Sequence, residues 1–176
     1  MELTTARLLL RELREDDAQA INAYERDPEV MRYQSRGVLT LEQSLEHIRK
    51  SVALAAEKPR VVFDLAVTLG EEVIGRSGLG IRDAESKRGM LWWIIAPAHQ
   101  NQGYATEASR ALLDLGFGAL GLHRIYVDVD PRNLASVKVA QKLGLKAEGQ
   151  LRENWRVGEE WTDSAIFAAL DREWVK

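Results

Sequence analysis

The stretch Ile94–Thr106, I-I-A-P-A-H-Q-N-Q-G-Y-A-T, decides how the rest of the chain is read. The apolar run Met90–Ile95 stops at Pro97, a polar loop Ala98–Gln102 follows, and Gly103 opens an amphipathic helix marked by Ala105, Ala108, Leu112 and Leu115. Strand, glycine-containing loop and helix start therefore come in succession. A helix start offers unpaired N–H groups at a positive dipole end, which suits phosphate. Gly103 lets a ligand approach the backbone, and Gln102, Gly103, Tyr104, Ala105 and Thr106 each have an N–H to offer. The alternative is that Gly103 only serves a tight turn. No G-K-[ST] follows, so this is not a P-loop, and it is not a G-x-G-x-x-G dinucleotide site.

Upstream, Val61–Leu69, Val73–Arg82 and Lys87–Ile95 read as three strands with short turns, an antiparallel meander. In the first, Val61, Phe63, Leu65, Val67 and Leu69 alternate with Val62, Asp64, Ala66 and Thr68, the pattern of a half-buried strand. Before it, Thr40 and Gln43 form a capping box, and Leu41, Leu45, Ile48, Val52 and Ala55 make one apolar helix face. Arg32–Leu39 is a loop, Asp27-Pro28-Glu29 a short helical turn, and Asp16 and Asp17 cap a helix to about Tyr24. Ala6–Leu13 is the first strand. Downstream come a strand at Ile125–Val129, a helix from Asn133 to Gly144, and strands at Leu151–Val157 and Glu160–Leu170. The sum is one α+β domain over residues 1–176 with a central, mostly antiparallel sheet.

Apolar residues make up 45% of the 176, enough for a core without staples. The absence of cysteine excludes disulfides, thiolate zinc sites and a cysteine nucleophile, and fits a reducing cytoplasm. With 24 basic and 27 acidic residues the net charge is −3, so direct nucleic-acid binding is not expected. No apolar stretch approaches the roughly 20 residues of a membrane span, and the charged start M-E-L-T-T-A-R-L-L-L-R-E is unlike a signal peptide. The expectation is a soluble, cytoplasmic protein without a membrane partner.

A second constellation is D-P-R-N-L-A-S, Asp130–Ser136. Asn133 suits a helix N-cap, and Ser136 lies one turn on, near the carboxyl edge of the sheet where ligands bind. Lys138 and Lys142 lie along one side of the same helix, where they would meet a ligand phosphate or simply face solvent.

H-Q-N-Q-G-Y-A-T-E-A resembles the pyrophosphate motif of the GNAT superfamily of N-acetyltransferases, [Q/R]-x-x-G-x-[G/A], with Gln100, Gly103 and Ala105 in place. D-P-R-N with Ser136, then Q-K-L-G-L from Gln141, resembles the second GNAT block at the expected distance. T-A-R-L-L-L-R-E-L-R-E-D-D and L-R-E-N-W-R-V-G-E-E-W-T-D resemble the RimJ/RimL-type ribosomal-protein branch, so the likeness covers essentially the whole chain.

The resemblance implies a mixed sheet of about seven strands with about four helices, the fourth and fifth strands splayed. It implies acetyl-CoA as donor, a primary amine as acceptor, no metal, and a possible homodimer. The backbone of Ile94, Ile95 and Ala96 would pair with the pantetheine arm. The loop Gln100, Asn101, Gln102, Gly103, Tyr104, Ala105 and Thr106 would hold the pyrophosphate, helped by Lys142. Asn133 would bond the pantetheine, and Ser136 would approach the sulfur.

At pH 7, neutralising an α-amine costs about 1.4 kcal/mol and a lysine about 4.6. An α-amine therefore works with a weak base or a water chain. Transfer would be direct, within a ternary complex, since no cysteine exists to carry the acetyl group. Relatives often place a glutamate in the fourth strand, but Met90 stands at that position, and Trp92 and Trp93 stand where Gly-Tyr is usual. Asp128 and Glu153 are the remaining candidates for a base. Phe167 stands where many relatives have tyrosine. The Arg32–Leu39 loop, the helix from Thr40 and the last hairpin would set the acceptor, with Tyr33, Trp155 and Trp161 as pocket or contact residues. The leading expectation is acetylation of a protein or peptide N-terminal α-amine. The alternatives are a small amine, such as a polyamine, amino acid or antibiotic, and a CoA-binding regulatory protein with weak chemistry.

Overall fold

The computed structural model describes residues 1–174. The chain runs β1 (Glu2–Thr4), β2 (Leu9–Glu12), α1 (Ala18–Glu25), α2 (Pro28–Met31), α3 (Leu41–Ala56), β3 (Val62–Leu69), β4 (Glu72–Asp83), β5 (Arg88–Ile95), α4 (Tyr104–Phe117), β6 (Arg124–Val129), α5 (Leu134–Lys142), β7 (Lys146–Val157) and β8 (Glu160–Leu170). All eight strands form one sheet in the order β1-β2-β3-β4-β5-β6-β8-β7. Every neighbouring pair is antiparallel except β5 and β6. Among the described residues no helix is long and apolar enough to cross a membrane.

Among the described residues, two counts differ from the sequence expectation. There are eight strands because the N-terminus folds as a hairpin, β1 with β2, and not as one strand from Ala6. Thr5 makes the turn: its N–H donates to the Leu8 carbonyl and its Oγ1 accepts from the Leu8 N–H. There are five α-helices because the turn at Pro28 closes as α2, with Asp27 accepting from the Glu29 N–H.

The helices cover both faces of the sheet. Phe63, Leu65 and Val67 of β3 pack with Ala108, Leu112 and Leu113 of α4 and Ala140 of α5. Ala66 faces the other way, among Ile21 and Tyr24 of α1 and Ile48 of α3. β3 is therefore buried on both sides, not one, and Asp64 and Thr68 are buried with it. The pairing of β5 with β6 covers only Arg88–Met90 against Arg124–Tyr126. From Leu91 onward no strand among the described residues pairs with that edge of β5, and the sheet opens into a gap facing the starts of α4 and α5.

Candidate active site

The gap is built by backbone direction. In an antiparallel pair, residues alternate in turning their N–H and C=O toward or away from the partner. The Ala96 N–H donates to the Ile74 carbonyl of β4. Ala96 and, two residues back, Ile94 therefore spend their backbone groups on β4, while Ile95 and Trp93 turn theirs into the gap. Of Ile94, Ile95 and Ala96, only Ile95 turns its backbone groups into the gap, and Trp93, outside the expected set, turns its own there too. Side chains follow the same alternation, so Trp93 packs toward α4 and Ile94 toward α1 and α3.

The loop after β5 is held from within. Pro97–His99 forms a 3-10 turn, the Gln100 side chain donates to the Ile95 carbonyl at 2.9 Å, and Gln102 donates to the Ala98 carbonyl. Gly103 stands at φ +85° and ψ 0°, the left-handed N-cap of α4. Among the described residues, none of the N–H groups of Gly103, Tyr104, Ala105 and Thr106 has an acceptor in the protein. They are the unspent donors of a 14-residue helix, at its positive end.

Arg7 braces this loop from the far side. It donates to the Gln102 carbonyl at 3.1 Å, pairs with Glu107 at 2.6 Å and lies 4.5 Å above the Tyr104 ring. Burial would push the Glu107 carboxyl up, but hydrogen bonds from Thr5 and Arg7 bring it below its ordinary value. No local pattern links the N-terminal segment to α4, so this brace is not legible in the sequence.

At α5, Asn133 Oδ1 caps the helix by accepting from the Ser136 N–H at 3.1 Å. Its amide nitrogen and the Ser136 hydroxyl have no hydrogen-bond partner among the described residues.

These elements enclose a cavity of about 360 Å³. One end is lined by Asn101, Gly103, Ala105 and Thr106 with Ser136, Lys138 and Lys142. The other is lined by Glu29, Val30, Tyr33 and Gln34 from α2 and the segment after it. Trp93, Ile94 and Ile95 form the wall between. The first end collects helix N–H groups and two ammonium groups, a site for anions. The second carries the single carboxylate among the lining residues, Glu29. Among the described residues no group of three or more His, Asp or Glu side chains is placed to hold a metal.

Three candidates lie elsewhere. Trp155 Nε1 donates to Asp128 Oδ2 at 2.8 Å, so these two engage each other across β8 and neither lines the cavity. Glu153 sits on the β7 bulge at φ +49°, its N–H bonded to Asp163, over a separate shallow depression formed by residues 150–154. The register slips by two residues between Leu151 and Trp155. Neither candidate base, Asp128 or Glu153, is among the residues lining this cavity. Tyr33 does line the cavity, between the Arg32 and Arg132 guanidinium groups at 5.5 and 6.0 Å. Arg132 in turn bonds Asp130 and Glu160, tying the start of α5 to the β7–β8 hairpin.

Residues 7–146 match the family model of the acetyltransferase (GNAT) domain. The chain is 36% identical over 175 residues to the uncharacterized N-acetyltransferase YnaD of Bacillus subtilis, covering 99% of each. It is 30% identical to a GNAT-family acetyltransferase from Bacillus anthracis of known crystal structure, with a TM-score of 0.87 over 98% of this chain and 100% of that one. Two more distant structures share the fold. The spermidine N-acetyltransferase of Vibrio cholerae, in complex with CoA and spermine, has 23% identity and a TM-score of 0.82 over 96% and 98% of the chains. The ribosomal-protein-S5-alanine acetyltransferase of Vibrio fischeri has 21% identity and a TM-score of 0.82 over both chains in full.

Proposed function

The chain belongs to the GNAT family and is an acetyl-CoA-dependent N-acetyltransferase, and from that premise we propose that its acceptor is the α-amine at the N-terminus of a peptide or protein. The observation that carries this reading is the charge layout of the cavity. The free N–H groups of α4 with Lys138 and Lys142 suit the diphosphate of the donor. Among its lining residues the opposite end has one carboxylate, Glu29, 3.9 Å from the Arg32 guanidinium and beside Tyr33 and Gln34, with the Arg132 guanidinium 6.0 Å from the Tyr33 ring. That suits an acceptor with one positive charge. A polyamine would bring several, and would meet cations where it needs anions.

In this reading Gly103, Tyr104, Ala105 and Thr106 hold the diphosphate through their N–H groups, and Trp93 and Ile95 offer backbone to the pantetheine amides. Asn133 has its side-chain N–H₂ free for the same arm. Acetyl-CoA supplies the acetyl thioester. The amine nitrogen takes the carbonyl carbon, the C–S bond breaks, and the amine proton leaves through water. Ser136 donates a hydrogen bond to the departing sulfur. A thiol of ordinary pKa near 8.5 needs no stronger acid, and an α-amine needs about 1.4 kcal/mol to shed its proton at pH 7. Glu29 at the mouth draws the ammonium in and does not have to deprotonate it.

The test is thiol release from acetyl-CoA with three acceptor sets: peptides with a free α-amine, N-terminally blocked peptides containing lysine, and spermidine. Turnover is expected with the first set. Faster turnover with spermidine would replace this acceptor by a polyamine.

A further inference from the structure

Beneath the acceptor end of the cavity lies a buried ionic network that the chemistry above does not use. Arg76 of β4 and Asp64 of β3 are 4% and 5% exposed, and Glu25 of α1 is fully buried. Arg76 bonds Glu25 through Nη2, and its Nη1 lies 3.1 Å from Asp64 Oδ2. Ser44 donates to Glu25 at 2.9 Å and Ser51 to Asp64 at 2.8 Å, both from α3. The network surfaces at one point, His47 of α3. Its Nε2 is 3.0 Å from Asp64 Oδ2 and 2.9 Å from Arg76 Nη1, and its Nδ1 is 2.7 Å from Arg36 Nη1.

Arg36 belongs to residues 32–39, the segment that carries Tyr33 and Gln34 on the cavity wall. The far end of that segment is tied to α1, where the Leu39 N–H donates to the Glu25 carbonyl and Asn22 donates to the Leu39 carbonyl. Its middle has the Arg36–His47 contact. A guanidinium has donors and no acceptor. With Nδ1 accepting from Arg36, Nε2 carries the proton and donates to Asp64, and its 2.9 Å approach to Arg76 Nη1 is then a contact between two donors, not a hydrogen bond. The contact requires a neutral imidazole. A proton on Nδ1 would set two donors and two positive charges face to face, with Arg76 adding a third cation against the single Asp64.

We propose that Arg36 and His47 are positioning residues for the acceptor: neutral His47 latches residues 32–39 over the cavity, and protonated His47 releases them. This rests on the reading that this wall receives the acceptor. The groups facing His47 are Arg36 from the loop, Asp64 from β3 and Arg76 from β4, with Glu25 of α1 behind Arg76 and Ser51 of α3 on Asp64.

The test is hydrogen exchange of residues 32–39, read by mass spectrometry at pH about 7.5 and about 5.5, the range in which histidine changes charge, and corrected for intrinsic exchange. Wild-type protection is expected to fall about 10-fold at the lower pH. H47Q should keep its protection at both, because the amide accepts from Arg36 and donates to Asp64 without titrating. R36A should be unprotected at both. An equal fall in wild type and H47Q, or no fall in wild type, overturns the latch. Acetyl-CoA binding by calorimetry should be unchanged in both variants. Loss of acetyl-CoA binding in wild type would instead strike the cavity assignment, so the two failures are distinguishable.

Discussion

At Gly103 the backbone stands at φ +85°, and the Cβ of any replacement would point at Arg7 Nη2, 3.5 Å away. Space is available there, so the cost of a side chain is the left-handed backbone itself, about 1–2 kcal/mol. Gly103→Ala should lower stability by about that amount in urea unfolding and weaken acetyl-CoA binding in calorimetry. Gly103→Asn, which tolerates this conformation better, should do less of both. Wild-type affinity in Gly103→Ala would remove the loop from the cofactor site. Ser136 makes the opposite kind of prediction. Its hydroxyl caps nothing and bonds nothing among the described residues, so Ser136→Ala should leave stability and acetyl-CoA affinity nearly unchanged. Turnover should fall about 10-fold or more, the worth of a hydrogen bond to a charged group. Undiminished kcat would take Ser136 out of the mechanism.

Between elements, the decisive contact on the β4–β5 seam is Trp92 lying over Gly78. A Cβ on Gly78 would fall 2.2 Å from Trp92 Cζ2, and one on Gly80 3.3 Å from Cζ3. The ring cannot yield freely, because its own strand holds it in register across β4. Gly78→Ala should destabilise by about 1–3 kcal/mol, and Trp92→Leu in the same chain should recover part of that, a coupling that urea unfolding of the four variants measures. Gly78 and Gly80 are the floor under an indole. This marks where sequence reading reached its limit. Alternation and capping signals placed β3, α3 and the α4 start, because each is encoded within its own segment. The capping box of Thr40 and Gln43 is present as read. The double burial of β3, the Trp92–Gly78 contact and the Arg7 brace all depend on segments distant in the chain. Glu29, the single carboxylate among the described lining residues, is another case: in the sequence it reads as an ordinary helix-start residue, and only the fold brings it to one cavity with residues of α5.

For the molecule as a whole, the exposed ion pairs matter less than the one inside. Pairs such as Arg49–Glu15 are open to solvent and contribute little. Asp64 is different: burial would raise its carboxyl, but the Arg76 charge and the hydrogen bonds from His47 and Ser51 hold it well below the usual carboxylate range. A carboxyl depressed in the folded state contributes stability above its unfolded value, near 3.9, and loses it as pH falls toward the folded value. Glu12, Glu107, Asp130 and Glu148 are shifted the same way, each against an arginine. Stability should therefore hold from neutrality to about pH 5 and decline below it. Asp64→Asn isolates the buried share. It leaves Arg76 with Glu25 alone and should cost about 3–5 kcal/mol at pH 7, the cost of breaking a buried pair from one side. Because the missing carboxylate can no longer take up a proton, its decline between pH 5 and 3 should also be shallower than in the wild type. Replacing Arg76 as well, Asp64→Asn with Arg76→Met, should cost more than Asp64→Asn alone, since the fully buried Glu25 is then left without its cation. Urea unfolding of the three proteins across this pH range measures each effect. An acid decline as steep in Asp64→Asn as in the wild type would place the acid sensitivity of this fold in its surface pairs, not in the network under the acceptor wall.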